Sequence, residues 1–225
     1  MKFTKRTGVQ PKPYAQFRRW TRHDFKGFCA YCYRHDTEAG GMPHFDQDHF
    51  EPNAANGGAK RNDYYNLYWS CKECNARENK GSNWPSAEEQ ARGERFCDPC
   101  QHDPEVVDFQ RGGNCEWKPL TPAGEYTARI LRLNERTSLR ENCEARKRFK
   151  GEYTTNLLML RHLVRGLDEL QKTNPDDALQ AMAQQLQGTI SSYETYLAQS
   201  PFVYMNPPPP PDPNLMESVL KLLID

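Results

Sequence analysis

The longest regular pattern of apolar residues lies in the second half of the chain, where it predicts a helix. Apolar residues recur at roughly helical spacing between positions 139 and 167. Just before them, Ser138 and Glu141 have the spacing of a capping box, in which two side chains satisfy backbone N–H groups at a helix start. Helical periodicity as a whole begins near Glu125. Such apolar stripes are typical of a helix that packs on a core.

A second apolar stripe covers residues 179–197 and follows Asn174 and Pro175, which are typical of an N-cap and a first helical position. We expect the two helices to pack as an antiparallel hairpin. The proline run 207–211 favours an extended spacer. Apolar positions in 215–223 then predict a short C-terminal helix. This helix can dock on a partner or fold back onto the hairpin, and the sequence leaves both open.

The rest of the chain lacks long periodicity, and composition divides it into segments. We expect five: a basic N-terminal arm at 1–26, a core at 27–83, a Pro-rich irregular segment packing on that core at 84–124, a helical region at 125–200, and a Pro-rich spacer with a short helix at 201–225.

Composition limits how much apolar core the chain can build. Of its 225 residues 36% are hydrophobic, and the mean hydropathy is -0.95, so we expect a metal or a partner to add stability. No apolar run is long enough to span a membrane. The basic start is not followed by an apolar signal region. These features predict a cytoplasmic protein without membrane association.

Charge is balanced overall but not locally. The net charge is zero, while residues 1–26 carry eight Lys or Arg against the single acid Asp24. Phe17, Trp20 and Phe25 are interleaved with these cations. Such a segment can lie along a phosphate backbone, or it can be a solvated and partly disordered arm. The sequence does not decide between them.

Two Cys-x2-Cys turns indicate a metal site. One is formed by Cys29 and Cys32, the other by Cys71 and Cys74. Each turn places two thiolates at a spacing that suits tetrahedral zinc, and two turns complete a four-sulfur shell. Such a closed shell leaves no open coordination position. We therefore expect a structural Zn²⁺ that holds the fold and takes no part in chemistry.

A third Cys-x2-Cys turn, Cys97 and Cys100, is followed by His102 and Cys115. These four residues are candidates for a second zinc site. Ordinary buried or free thiols are the favoured interpretation. Cys143 lies on the helical stripe and is expected in the core.

The stretch between the zinc turns carries residues suited to phosphodiester hydrolysis. A neutral imidazole can take a proton from water, and His49 is the candidate general base. A hard divalent ion, Mg²⁺ or Mn²⁺, would stabilise the phosphate charge and prefers oxygen ligands. Asp48 offers a carboxylate and Asn75 an amide oxygen. Because adjacent strand residues point to opposite sides, Asp48 and His49 would divide these two roles.

These residues resemble the HNH endonuclease family. The matching blocks are Asp48 to Pro52, Asn66 with Leu67, and Cys71 to Asn75. The resemblance implies an α+β fold, with a zinc-stapled ββα-metal core and a C-terminal α-helical region. It also implies that Asp48 and His49 lie on the first strand, that Asn66 opens the second, and that Asn75 lies in the first turn of the helix.

The resemblance implies further roles and also has departures. Asn66 corresponds to the family's middle Asn, which holds the loop and orients the base. Asn75 stands where the family usually has His, and Lys80 comes two residues late. Asn79 is therefore a rival metal ligand, and Asp46 is a second candidate carboxylate. Lys80 can contact phosphate, although a solvated lysine is the more common outcome.

Residues 95–134 look like the region that follows the core in the HNH component of Septu-type and retron-linked anti-phage systems. This looser resemblance implies a defence effector recruited by an ATPase partner. The sequence thus predicts a metal-dependent endonuclease whose expected substrate is DNA. The alternatives are a catalytically inactive zinc-stabilised module that binds nucleic acid or protein, and a structural adaptor.

Overall fold

The computed structural model describes residues 1–198 and 208–224. It divides into two compact units, Met1–Asn142 and Cys143–Asp225. The fold is α+β, with two small two-stranded sheets in the first unit and long helices toward the C-terminus. Of the proline run 207–211, Pro207 lies outside the described residues, whereas 208–211 form no regular element.

The first sheet is an antiparallel hairpin. Strand β1 (Phe45–His49) pairs with strand β2 (Leu67–Cys71), with Asp48 opposite Tyr68 and His49 opposite Leu67. Asp48 and His49 thus end the first strand, as predicted. Asn66 does not open the second strand but closes the 3-10 turn just before it.

Short elements surround this hairpin in the first unit. They are the helices α1 (Arg18–Asp24), α2 (Lys72–Asn75), α3 (Ala87–Ala91), α4 (Pro104–Val107) and α5 (Pro122–Ile130), and the strands β3 (Phe109–Arg111) and β4 (Trp117–Pro119). The segment 84–124, which was expected to be irregular, thus contains short helices and strands joined by irregular chain. Its elements are too short for periodicity to reveal, and their signals are local caps, such as Ser86 with Glu89 and Asp103 before α4.

The basic N-terminal arm packs against the rest of its unit. Phe3 is buried, and its backbone N–H donates to the Pro99 carbonyl at 2.8 Å. Arg6 forms an ion pair with Asp24 at 2.8 Å. The guanidinium of Arg18 donates to the Phe45 carbonyl at 2.6 Å. One aromatic residue of the arm and two of its arginines therefore have partners inside the fold, which does not favour the interpretation as a solvated arm.

The second unit contains the predicted antiparallel hairpin. Helix α6 (Thr137–Thr173) is followed by helix α7 (Asp177–Ala198). Tyr153 contacts Tyr196, with 4.9 Å between the ring centroids, whereas Arg161 pairs with Glu194 at 2.5 Å. Moving from Tyr153 to Arg161 along α6, the partners move back from Tyr196 to Glu194 along α7, which is the antiparallel arrangement.

The predicted helix starts were close but not correct. Ser138 lies inside α6, where its hydroxyl accepts a hydrogen bond from Arg34. The side chain of Asp176, two residues after Asn174, accepts from the Ala178 N–H at 2.8 Å and caps α7. At α7 it is therefore Asp176, and not Asn174, that accepts from a backbone donor of the first turn.

The C-terminal helix α8 (Pro213–Ile224) folds back onto the hairpin in its own unit. Val219 is fully buried in the same apolar cluster as Leu160 and Leu186. A Cβ atom at Gly166 would lie 2.8 Å from Leu223, so α8 approaches α6 closely at this point. Across positions 1–198 and 208–224, no helix has both the length and the apolar character needed to cross a bilayer.

Candidate active site and metal centre

The four cysteines of the two zinc turns meet in one buried cluster. The sulfurs of Cys29, Cys32, Cys71 and Cys74 all lie within 4.8 Å of one another. Four sulfurs form the soft donor set that zinc prefers, at a spacing suited to one shared ion. The predicted residues therefore form a group that could hold a structural metal such as zinc.

Local hydrogen bonds explain why these turns meet. The Ala30 N–H donates to the Trp69 carbonyl at 2.8 Å, which attaches the first turn to β2. The second turn begins where β2 ends. There the Cys71 sulfur accepts from the Cys74 N–H at 3.4 Å and caps α2. Burial raises the pKa of Cys29 and of Cys74. A bound cation would favour their thiolate forms instead.

Arg136 also belongs to this cluster, although no sequence pattern pointed to it. Its side chain is buried, and its guanidinium donates to the Cys74 sulfur at 3.1 Å and to the Cys71 sulfur at 3.7 Å. A further bond to Glu73 measures 2.6 Å. Burial opposes the positive charge, but the neighbouring thiolates outweigh it and raise the pKa of Arg136. Arg136 can thus offset part of the negative charge of a four-thiolate shell.

The candidate second zinc site does not assemble. Cys97 accepts a hydrogen bond from the Thr127 hydroxyl at 3.3 Å, while His102 contacts Asp108 at 2.5 Å. Burial raises the pKa of Cys100 to about 11, so its thiol stays protonated at neutral pH. Within the described ranges, the four-cysteine cluster is the only group of three or more His, Cys, Asp or Glu residues at metal-binding distance.

Asp48 lies in a buried polar cluster on one face of the hairpin. Its carboxylate accepts a hydrogen bond from the Tyr31 hydroxyl. The Nζ atom of Lys80 lies 2.9 Å from Asp48 Oδ2 and 3.2 Å from Oδ1, and it also donates to the His49 carbonyl at 2.8 Å. Burial and the neighbouring Asp48 raise the pKa of Tyr31, so the phenol remains a donor. Lys80 is thus a buried partner of Asp48.

His49 lies on the opposite face of the hairpin and is half-buried. Its Nε2 atom lies 2.8 Å from the carbonyl oxygen of Arg61. The ring of Tyr14, from the N-terminal arm, lies 5.5 Å from the imidazole between centroids. The guanidinium of Arg61 lies 5.9 Å from the Tyr14 ring. Neither Tyr14 nor Arg61 was singled out in the sequence, because neither belongs to a motif.

Asn66 braces the loop that follows His49. Its side-chain oxygen accepts from the Glu51 N–H at 2.9 Å, and its amide donates to the Glu51 carbonyl at 3.0 Å. These two bonds fix the backbone beside the β1 terminus. The contact is the loop-holding kind that the family resemblance implies for this residue.

The comparisons add no relative. Family models, curated proteins and solved structures give no match for this chain. The resemblance to HNH endonucleases therefore depends on the sequence motifs alone.

The remaining candidate ligands lie on β1, on α2 and in the turn after α2. Asp46 lies 3.7 Å from Arg18. Asn75 is the half-buried last residue of α2. The amide of Asn79 donates to the Glu73 carbonyl at 2.6 Å, while its buried Oδ1 has no hydrogen-bond partner among the described residues. Asn79 thus offers an available oxygen, which makes it a stronger rival to Asn75 than spacing alone suggested.

A divalent ion does not fit at Asp48 as this site is arranged. The oxygen ligands are of the right kind for Mg²⁺. However, the Asp48 carboxylate already accepts from Tyr31 and is neutralised by Lys80. A divalent cation beside the Lys80 ammonium would experience like-charge repulsion. Metal binding at Asp48 would require Lys80 to leave.

Proposed function

We propose that this chain is a nucleic-acid endonuclease of the HNH type, with His49 as the general base for phosphodiester hydrolysis. Three features support the proposal. The first strand of the hairpin ends in Asp48 and His49, Asn66 fixes the loop that follows by hydrogen bonds to Glu51, and the second strand ends at the four-cysteine cluster. DNA is the proposed substrate.

The single observation that carries the proposal is the contact between His49 Nε2 and the Arg61 carbonyl at 2.8 Å. A carbonyl oxygen only accepts hydrogen bonds, so Nε2 must carry the proton. In the neutral ring, Nδ1 then holds the lone pair. A fixed imidazole with one free acceptor nitrogen is suited to take a proton from water. The backbone contact thus selects the tautomer that a general base needs.

The surroundings of His49 suit an anionic substrate. Arg61 is exposed, and Lys60 lies beside it in the same loop, where it pairs with Glu51. A guanidinium can bind a phosphate with two parallel hydrogen bonds. We assign phosphate contact to Arg61, because its backbone carbonyl already lies at the imidazole.

A divalent ion remains part of the proposal as a requirement to be tested. Such an ion supplies charge stabilisation to the phosphate and the leaving oxygen. The ammonium of Lys80 already compensates the Asp48 carboxylate, so Asp48 as arranged does not hold such an ion. The role as an anti-phage effector with an ATPase partner is likewise a proposal, supported only by the looser resemblance over residues 95–134.

A zinc-stabilised binding module without catalysis is the second candidate. The buried pair of Asp48 with Lys80 favours it, since a carboxylate engaged by an ammonium and a phenol is in a structural role. The His49 tautomer favours the nuclease, because a binding module has no need for an oriented acceptor nitrogen.

The test is incubation of supercoiled plasmid with wild-type protein, His49→Ala and the matched control His44→Ala, which alters an exposed histidine. Each protein is assayed with Mg²⁺, with Mn²⁺, and with EDTA, and zinc content is measured after each run. We expect His49→Ala to slow cleavage by about 100-fold or more, the scale of general-base catalysis. His44→Ala should cleave normally. Wild-type activity in His49→Ala would refute the role of His49 as the base. A wild-type protein that binds DNA but does not cleave it would favour the binding module over the nuclease.

A further inference from the structure

A cleft of about 440 Å³ lies on the Asp48 face of the hairpin and has no role in the chemistry assigned to His49. Its lining includes Phe50, Glu51 and Asn66, so it adjoins the β1 terminus directly. Its volume is within the range of small-molecule sites, roughly 300–1,000 Å³. The cleft lies entirely within the first unit.

Aromatic rings form one wall of this cleft. Trp84 is half-buried, with its edge against Phe50 at 5.9 Å between centroids, and it stacks on Phe96 at 6.2 Å. Tyr65 also lines the cleft and is 51% exposed. Exposed ring faces in a cleft are platforms on which unpaired bases stack, whatever their sequence.

The acidic residues at the cleft are already engaged. Glu51 pairs with Lys60. Asp98 accepts from the Tyr68 hydroxyl at 2.7 Å, and Asp63 accepts from the Tyr65 N–H at 2.9 Å. The carboxylates are therefore held by their own neighbours.

The cationic side of the cleft is Arg95. Its side chain is exposed, and in the described part of the chain its guanidinium has no ion-pair partner. His102 lines the same cleft, with its ring oriented by the buried Asp108. An unpaired guanidinium beside ring faces matches a ligand with a phosphate and an aromatic base.

We propose that this cleft binds one unpaired nucleotide of a DNA strand, with its base against Trp84 and Tyr65 and its phosphate at Arg95. This inference rests on the proposed function, since it takes the DNA substrate proposed there as the ligand. A paired base cannot enter the cleft without leaving its stack, which costs free energy. The protein therefore prefers single-stranded or locally unpaired DNA over an intact duplex.

Binding without cleavage tests the inference. Full-length His49→Ala is titrated, without divalent ions, into a fluorescein-labelled 12-nucleotide thymidine strand and into its duplex with adenosine, and anisotropy is recorded. We expect at least about tenfold tighter binding to the single strand. Arg95→Glu and Trp84→Ala should each remove about tenfold of that affinity, whereas Trp84→Phe should retain most of it. The matched control is Arg92→Glu, an exposed arginine that pairs with Glu94 outside the cleft.

Equal affinity for both DNAs would overturn the inference, as would single-strand binding that Arg95→Glu leaves unchanged. Arg95 is exposed, so this variant tests the cleft without a folding defect. The outcomes separate the two proposals. Trp84-dependent binding by a protein that never cleaves would support the cleft and refute the nuclease, whereas cleavage that is indifferent to both cleft substitutions would do the reverse.

Discussion

The Nζ atom of Lys80 lies 2.9 Å from Oδ2 of Asp48, and both side chains are buried. A buried charge that loses its partner is strongly destabilising, because the remaining ion has neither water nor a counter-charge. We expect Lys80→Met to lower the free energy of unfolding by about 3–5 kcal/mol, measured by urea denaturation.

The double variant Lys80→Met with Asp48→Asn should lose less stability than the sum of the two single variants, because no charge is then left alone. Lys172→Met, which breaks an exposed pair with Glu169, is the control and should cost less than about 1 kcal/mol. Additive effects at Lys80 and Asp48 would show that the pair is not coupled.

The zinc cluster is tested by Cys71→Ser. This change removes one sulfur ligand, while the serine hydroxyl can still cap α2. Metal binding energy contributes directly to folding. We expect loss of bound zinc, measured by elemental analysis, and a fall of roughly 10 °C or more in Tm. Cys100→Ser alters a free thiol outside the cluster and should keep both the metal and the Tm. A stable Cys71→Ser protein without metal would contradict the structural role.

Arg136→Met tests whether the guanidinium of Arg136 offsets the negative charge of the cysteine thiolates. Groups that hydrogen-bond to metal ligands typically contribute about 10–100-fold to metal affinity. We expect a loss of zinc affinity on that scale, measured by competition with a chelator. Arg140→Met, at an exposed position of α6, is the control. Unchanged zinc affinity in Arg136→Met would show that Arg136 contributes to packing and not to metal binding.

Lys5 gives a pH-dependent prediction. Burial lowers its pKa from 10.5 to about 8, while its ammonium donates to the Tyr65 carbonyl at 2.6 Å. Between these two pH values the unfolded chain holds more protons than the folded protein, so stability gains from Lys5 as pH rises. Lys5→Met has no group that titrates at this position and should lack this gain. Between pH 8 and 10.5, the difference in free energy of unfolding between the two proteins should therefore shift in favour of wild type. Lys2→Met, at an exposed position, is the control. Parallel pH profiles for wild type and Lys5→Met would refute the assignment.

Sequence reasoning found the residues whose spacing has a chemical cause. Four thiolates in two tight turns, and an Asp-His pair at a strand end, can be identified without coordinates because ligand geometry and strand alternation constrain them. The two long helices were also predicted, since their apolar stripes repeat over many turns.

The rest depends on contacts between residues distant in sequence. The guanidinium of Arg136 contacts a sulfur more than sixty positions away. Lys80 contacts Asp48 from a short turn, and the sequence spacing did not predict that this turn directs the side chain toward β1. Tyr14 reaches His49 only because the N-terminal arm packs inward. None of these partners has a local signal, so their roles become visible only once the chain is folded.

The separation between Arg136 and the first cysteine turn also bears on biosynthesis. Cys32 and Arg136 are 104 positions apart, and contacts this distant form only after a long loop closes. While the ribosome is still making the intervening segment, the four sulfurs are without their guanidinium. Translation must therefore pass Arg136 before the cluster reaches its final charge balance, and capture of metal by the nascent chain should be weaker before that point than after it.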